Sequence, residues 1–182
     1  RGTPTCYYGE ELGMVNVPIP RELMHDPPGK ENPVYSRDPE RTPMQWDDSD
    51  HAGFCAPEVI PWLPVADDYQ IYNVAEEQRE PGSFLMLTHR LLELRRDTPA
   101  LTIGSHQSIE QENAHCFVYL RQRDNQSYLV ILNFSAEEQV VTIAGHTQAY
   151  LVLSTSMDRE GLIDLSEVHL RGNEGMLIKV GA

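Results

Sequence analysis

The sequence predicts a chain in two parts: a loop-rich segment that opens on one buried strand and closes on helices, followed by an antiparallel β-sandwich. Three observations predict it. The apolar run Thr5-Cys6-Tyr7-Tyr8 stops at Gly9, as a buried strand does. Apolar residues recur at helical spacing from Phe84 to Leu94. From about Leu101 onward, short β-prone runs alternate with polar turns, the spacing of a sandwich.

After the first strand comes a long irregular stretch containing Pro18, Pro20, Pro27, Pro28, Pro33, Pro39 and Pro43. Loops of this length inside a compact domain are functional or disordered. Tyr35, Met44, Trp46, Phe54 and Trp62 argue for order, because such side chains need something to pack on. Asn73 with Glu76 three residues on resembles a capping pair for a short helix. Pro81 suits the first turn of a longer helix. Its stripe is Phe84, Leu87, Leu91 and Leu94, widened by Leu85 and Leu92. Arg95 and Arg96 complement the dipole of the last turn, and Pro99 prevents continuation. This is a packing helix, and His89 on it reads as a surface or satisfied histidine.

The strands follow. His115 to Arg123 and Ser127 to Phe134 flank Asp124-Asn125-Gln126, a polar connection suited to a hairpin. Leu129-Val130-Ile131-Leu132 is apolar on both faces and predicts a buried central strand. Val140 to Ile143, Ala149 to Leu153 and Met176 to Val180 continue the series.

Bulk properties exclude some functions. The 182 residues suffice for one domain, or for one domain and a piece of another. A formal net charge of −14 disfavours nucleic acid and an anionic membrane face as partners. No apolar run is long enough to span a bilayer, and no signal peptide is present. Cys6, Cys55 and Cys116 cannot all pair; Cys6 and Cys116 sit in apolar runs as small hydrophobes, which favours a reducing, cytoplasmic setting. The chain starts at Arg1-Gly2-Thr3-Pro4, which predicts a fragment cut from something longer.

Spacing alone announces no activity. Glu10-Glu11 is a carboxylate pair, but neighbours on a strand point to opposite faces, so at most one faces a cleft. Asp47-Asp48-Ser49-Asp50 starts like a calcium loop, yet Gly53 is misplaced and the distal glutamate is missing. His25, His51, His89, His106, His115, His146 and His169 show no zinc-site spacing. No phosphate loop or nucleophile elbow is present. No metal and no cofactor is expected.

Read as a string, the first segment is more specific. Gly2-Thr3-Pro4-Thr5-Cys6-Tyr7-Tyr8-Gly9-Glu10-Glu11-Leu12-Gly13-Met14 resembles the last barrel strand of the α-amylase superfamily, glycoside hydrolase family thirteen. Arg37-Asp38-Pro39-Glu40-Arg41-Thr42-Pro43-Met44-Gln45-Trp46-Asp47 resembles the loop after that strand in its α-glucosidase and oligo-1,6-glucosidase branch. Ala52-Gly53-Phe54, Pro61-Trp62-Leu63-Pro64-Val65, Asn73-Val74 and the end of the helix continue the pattern in order, as far as about Gly104.

The resemblance implies a fold: the last strand, long loop and last helices of a (β/α)8 barrel over residues 1–100, then the β-sandwich C-terminal domain over 101–182. It implies a retaining α-glucosidase acting on short α-glucosides, whose aspartate nucleophile, glutamate acid/base and second aspartate lie in motifs upstream of this strand. None of these catalytic residues is in the chain, so the fragment alone is expected to be inactive. Its partners would be the α-glucoside substrate and the upstream barrel segment.

Arg41 carries over as the substrate-binding residue, reaching hydroxyls of the first sugar and neighbouring carboxylates; the alternative is a structural ion pair within the loop. Gln45 and Trp46 are expected to shape the loop, and Glu10 to act as an acceptor behind the site. Other readings are a sucrose isomerase or trehalose synthase of the same branch, a non-catalytic heavy subunit of an amino-acid transporter, and a structural or sugar-binding sandwich module.

Overall fold

The computed structural model describes residues 2–144 and 148–181. His146 of the histidine survey lies outside the described residues. The chain forms two compact units, one over Thr5–Thr88 and one over His89–Ala182 together with Arg1–Pro4.

The unit Thr5–Thr88 is built from loops and single turns. Its helices are α1 (Pro27–Glu31), α2 (Val74–Glu77) and the start of α3 (Phe84–Asp97). Five 3-10 turns intervene, among them Glu10–Leu12 and Asp38–Arg41. The expected buried strand at Thr5-Cys6-Tyr7-Tyr8 is not formed, and these residues are exposed. A strand needs a partner for its backbone N–H and C=O groups, and the described residues of this unit contain no second strand. The chain instead turns at once, the Glu10 N–H donating to the Tyr7 carbonyl at 3.2 Å.

Gly9 (φ 90°) and Gly13 (φ 63°) bracket that turn in left-handed conformations, which glycine adopts without penalty. A Cβ at Gly13 would lie 2.8 Å from the Phe84 ring. The turn buries Leu12 completely against Met44 and Leu85. A second small core joins Ile19, Met24 and Leu63. Asn73 caps α2 as the sequence predicts, its side chain accepting from the Glu76 N–H at 2.9 Å.

Helix α3 starts at Phe84, so Pro81 precedes it rather than filling its first turn, and it ends at Asp97, before Pro99. The expected packing stripe is only partly covered: Leu85 is buried, whereas Phe84, Leu91 and Leu92 are exposed. His89 is exposed. Pro99 then opens another helix, α4 (Pro99–Ile103), where the sequence reading placed the start of the strand region. Proline at this position costs nothing, since the first helical N–H has no intrahelical partner.

The second unit contains a six-stranded antiparallel sheet in the order β1-β2-β3-β8-β5-β6: β1 (Ser105–Ile109), β2 (Cys116–Arg123), β3 (Gln126–Asn133), β5 (Gln148–Ser154), β6 (Gly161–Asp164) and β8 (Gly175–Val180). A two-stranded sheet pairs β4 (Gln139–Val141) with β7 (Val168–Leu170). The hairpin β2–β3 turns at Asp124 (φ 50°) and Asn125, a connection one residue shorter than expected because Gln126 already pairs with Arg123. Strand β3 lies between β2 and β8 in the sheet interior, as its two-faced apolar sequence requires. Val118, Leu129, Ile131 and Ile178 of the larger sheet meet Val141, Val168 and Leu170 of the smaller one in a common core. Each such fully buried aliphatic side chain contributes about 1.5–3 kcal/mol by transfer. Strands β1, β6 and β7 are only three to five residues long, and β1 is polar over its first four residues; the sequence reading missed all three.

One end of this unit is fixed by charge. The buried Glu174 carboxylate accepts from Arg159 and Arg171, and Arg171 reaches on to Asp158 at 2.7 Å. The Arg171 guanidinium holds the Asp158 carboxyl down at about 2.

Candidate functional site

The 3-10 turn Asp38–Arg41, with Pro39 in its first turn, carries the candidate residue Arg41. Asp38 is fully buried, and its Oδ2 accepts from the backbone N–H groups of His25 at 2.6 Å and Asp26 at 2.8 Å. These bonds tie the turn to the chain entering α1. Asp26, also buried, accepts from the Arg37 N–H at 3.0 Å and from Arg37 Nε at 3.1 Å, with Nη2 closing a two-pronged ion pair. The Arg37 guanidinium therefore holds the Asp26 carboxyl below its ordinary range.

Arg41 stands beside this pair. Its Nη1 lies 3.6 Å from Asp26 Oδ1 and 4.0 Å from Asp38 Oδ1. Its side chain is 34% exposed. Among the described residues it makes no hydrogen bond, and Asp38 Oδ1 accepts none. The two carboxylates thus fix the position of the guanidinium by charge and leave its forked donors unspent.

The other sequence-predicted residues lie before and after this turn. Glu10 accepts from the Tyr7 N–H at 3.1 Å and borders a cavity of about 280 Å³ with Tyr8, Asn16, Glu40 and Thr42. The Tyr8 hydroxyl donates to the carbonyl of Thr42, directly after Arg41, at 3.0 Å. Gln45 is buried, donating through Nε2 to the Tyr72 carbonyl at 2.6 Å. Trp46 is half-exposed; its N–H donates to the Ala52 carbonyl and its own carbonyl accepts from the Ala75 N–H. The structure brings Arg41 together with Asp26 and Asp38, and places Gln45 and Trp46 where the loop meets α2.

Sequence reasoning missed Asp26 and Asp38 as partners of Arg41. Asp38 had a local signal, since it lies three residues before Arg41. Asp26 had none, because its contact with Arg37 spans eleven residues of irregular chain. Cys6, expected to be a small buried hydrophobe, is exposed because the strand that would have covered it does not form. Among the described residues no three His, Cys, Asp or Glu side chains converge as metal ligands would. No helix among them is long and apolar enough to cross a membrane.

The family model for the α-amylase catalytic domain matches residues 1–104. The chain belongs to the α-amylase family. Within that family it is 31% identical to an oligo-1,6-glucosidase of Parageobacillus thermoglucosidasius over 99% of its own length and 36% of the relative's. It is 37% identical to an α-glucosidase of Apis mellifera, over 78% of this chain and 26% of that one. The crystal structure of the trehalulose synthase MutB from Pseudomonas mesoacidophila MX-45 superposes with a TM-score of 0.85 at 31% identity, covering 98% of this chain and 36% of that chain. The chain thus spans about 36% of the length of these first relatives, and among family members it lies in the α-glucosidase branch.

Proposed function

We propose that the chain is the C-terminal part of a retaining α-glucosidase that acts on short α-glucosides. In this reading residues 1–100 close a (β/α)8 barrel and 101–182 form the β-sandwich C-terminal domain. The catalytic carboxylates belong to barrel strands outside this chain. Active sites of such barrels are built from the loops after the strands, and the Arg37–Asp47 loop follows the last one.

The observation that carries the reading is the unspent Arg41 guanidinium, held by two buried carboxylates and partly open to solvent. An arginine with free forked donors recognises adjacent hydroxyls of a sugar and the carboxylates near it. Asp26 and Asp38 supply no hydrogen bonds to it, so its donors remain for a ligand. Glu10 holds the turn after Tyr7 through the Tyr7 N–H, and Gln45 and Trp46 hold the loop against α2.

The test is a matched pair of assays. The isolated chain should release no glucose from an aryl α-glucoside, whereas the protein extended by its upstream coding sequence should turn it over. Arg41→Lys in the extended protein should lower kcat/KM with an unchanged melting temperature. Turnover by the isolated chain, or an extended protein that is inactive with its carboxylates present, would contradict the reading.

A second reading is favoured by the structural likeness to trehalulose synthase, a structure of which was solved with its substrate sucrose (TM-score 0.85, 32% identity). Incubating the extended protein with sucrose separates the two. Free glucose as the main product supports hydrolysis; an isomeric disaccharide supports isomerisation.

A further inference from the structure

A cavity of about 560 Å³ in the unit Thr5–Thr88 is lined by none of the residues that contact Arg41, and the function above does not use it. Apolar Leu23, Ile60 and Trp62 and polar Asp50, His51 and Tyr69 are among the residues that line it. Its volume is in the range of small-molecule sites, which are mostly apolar with a few placed polar groups.

Two features mark it as built. His51 and Ala52 are consecutive non-glycine residues in the left-handed region, both at φ 56°. Such a pair is costly and persists only where its surroundings over-determine it, commonly at ligand clamps. Ala52 is fully buried and its carbonyl accepts the Trp46 N–H, while His51 Nε2 bonds the Pro57 carbonyl at 3.1 Å. The strained turn therefore fixes the histidine ring at the cavity wall.

Trp62 is positioned from the other side. The His25 ring packs on it with centroids 5.5 Å apart, and His25 Nε2 bonds the Trp62 carbonyl at 2.9 Å. Even so anchored, the Trp62 side chain is half-exposed. Among the described residues neither the Asp50 carboxylate nor the Tyr69 hydroxyl makes a side-chain hydrogen bond. An ordered aromatic face beside free hydroxyl-binding groups suits a ring that is apolar on its faces and polar at its edge, and the overall charge of −14 disfavours an anionic ligand.

We propose that this cavity is a second sugar-binding site, which takes one ring of a neutral short-chain α-glucoside against Trp62 with its hydroxyls on Asp50 and Tyr69. The choice of ligand class rests on the glucosidase reading; the site itself does not require catalysis.

Trp46 and Trp62 are the two tryptophans of the chain, so Trp46→Phe leaves Trp62 as the sole indole reporter. Titrating isomaltotriose into that variant should give a saturable change in emission. Asp50→Asn should weaken it by about fivefold to tenfold, the range of one net hydrogen bond, and Tyr69→Phe should weaken it similarly. Calorimetry on the unsubstituted chain reports binding independently of folding changes in the variants. No heat up to about 20 mM trisaccharide, well beyond a millimolar dissociation constant, would overturn the proposal. So would binding that both Asp50→Asn and Tyr69→Phe leave unchanged. Arg41→Lys, which tests the glucosidase reading, should not alter this titration, so the two ideas fail separately.

Discussion

Arg41 Nη1 stands 3.6 Å from Asp26 Oδ1 and does not hydrogen-bond to it, because Arg37 already engages that carboxylate with its backbone N–H and guanidinium. One arginine neutralises the buried acid; the other is positioned by it and stays available. This division of labour separates their mutational effects.

Arg41→Lys keeps the charge and loses the fork. In the extended protein kcat/KM should fall by about tenfold to hundredfold, the size of a charge-assisted hydrogen bond lost on the substrate. Denaturant midpoints of the two forms should coincide.

Arg37→Ala should behave oppositely. It removes the side-chain hydrogen bonds of the buried Asp26 carboxylate and leaves it only Arg41, at 3.6 Å, as a charged partner, so unfolding of the Thr5–Thr88 unit should occur at lower denaturant. Asp26→Asn combined with Arg37→Ala should recover part of that loss, which a double-mutant cycle would register.

Gly13→Ala places a side chain at φ 63° and a Cβ 2.8 Å from the Phe84 ring. The left-handed backbone alone costs about 1–2 kcal/mol. Amide exchange at Leu12 should accelerate correspondingly; unchanged protection would show that the turn is looser than its packing suggests.

Ile131 is fully buried between the two sheets. Ile131→Ala should cost about 2–5 kcal/mol from lost transfer energy and the cavity left behind. Urea unfolding followed by far-ultraviolet circular dichroism checks this.

Glu77 gives a pH dependence. Burial pushes its carboxyl above the ordinary range and the nearby Glu11 charge adds to this, against the hydrogen bond donated by the Leu85 N–H. An acid with a raised folded pKa makes the folded state bind more protons, so its contribution to stability declines as pH rises through that range. Glu77→Gln keeps an oxygen for Leu85 and removes the charge. The variant should gain stability relative to the parent chain at pH 8 and lose that advantage at pH 4.

The sandwich was legible in sequence where the signal was apolar and periodic. Leu129 to Leu132 marked the interior strand, and Asp124-Asn125-Gln126 marked its hairpin to within one residue, because turn chemistry and two-faced hydrophobicity are local properties. Ser105 to Ile109 escaped because a polar edge strand takes its conformation from its neighbour, here β2. The α3 stripe was found, yet its burial was overestimated: amphipathic spacing states which face can pack, not what is present to cover it.

Residues adjacent or regularly spaced along the chain were enough to reveal the α-amylase family and the sandwich core, and they singled out Arg41 within the Arg37–Asp47 loop as the candidate. Folding alone settled that Thr5 to Tyr8 joins no sheet, that Arg37 rather than Arg41 hydrogen-bonds Asp26, and that a strained His51 lines the cavity of Trp62. The physical reason is the same in all three. Strand pairing, ion-pair partnership and left-handed backbone strain are settled by which distant groups come within hydrogen-bonding or packing distance, and irregular loops carry no periodicity that would reveal those meetings in advance.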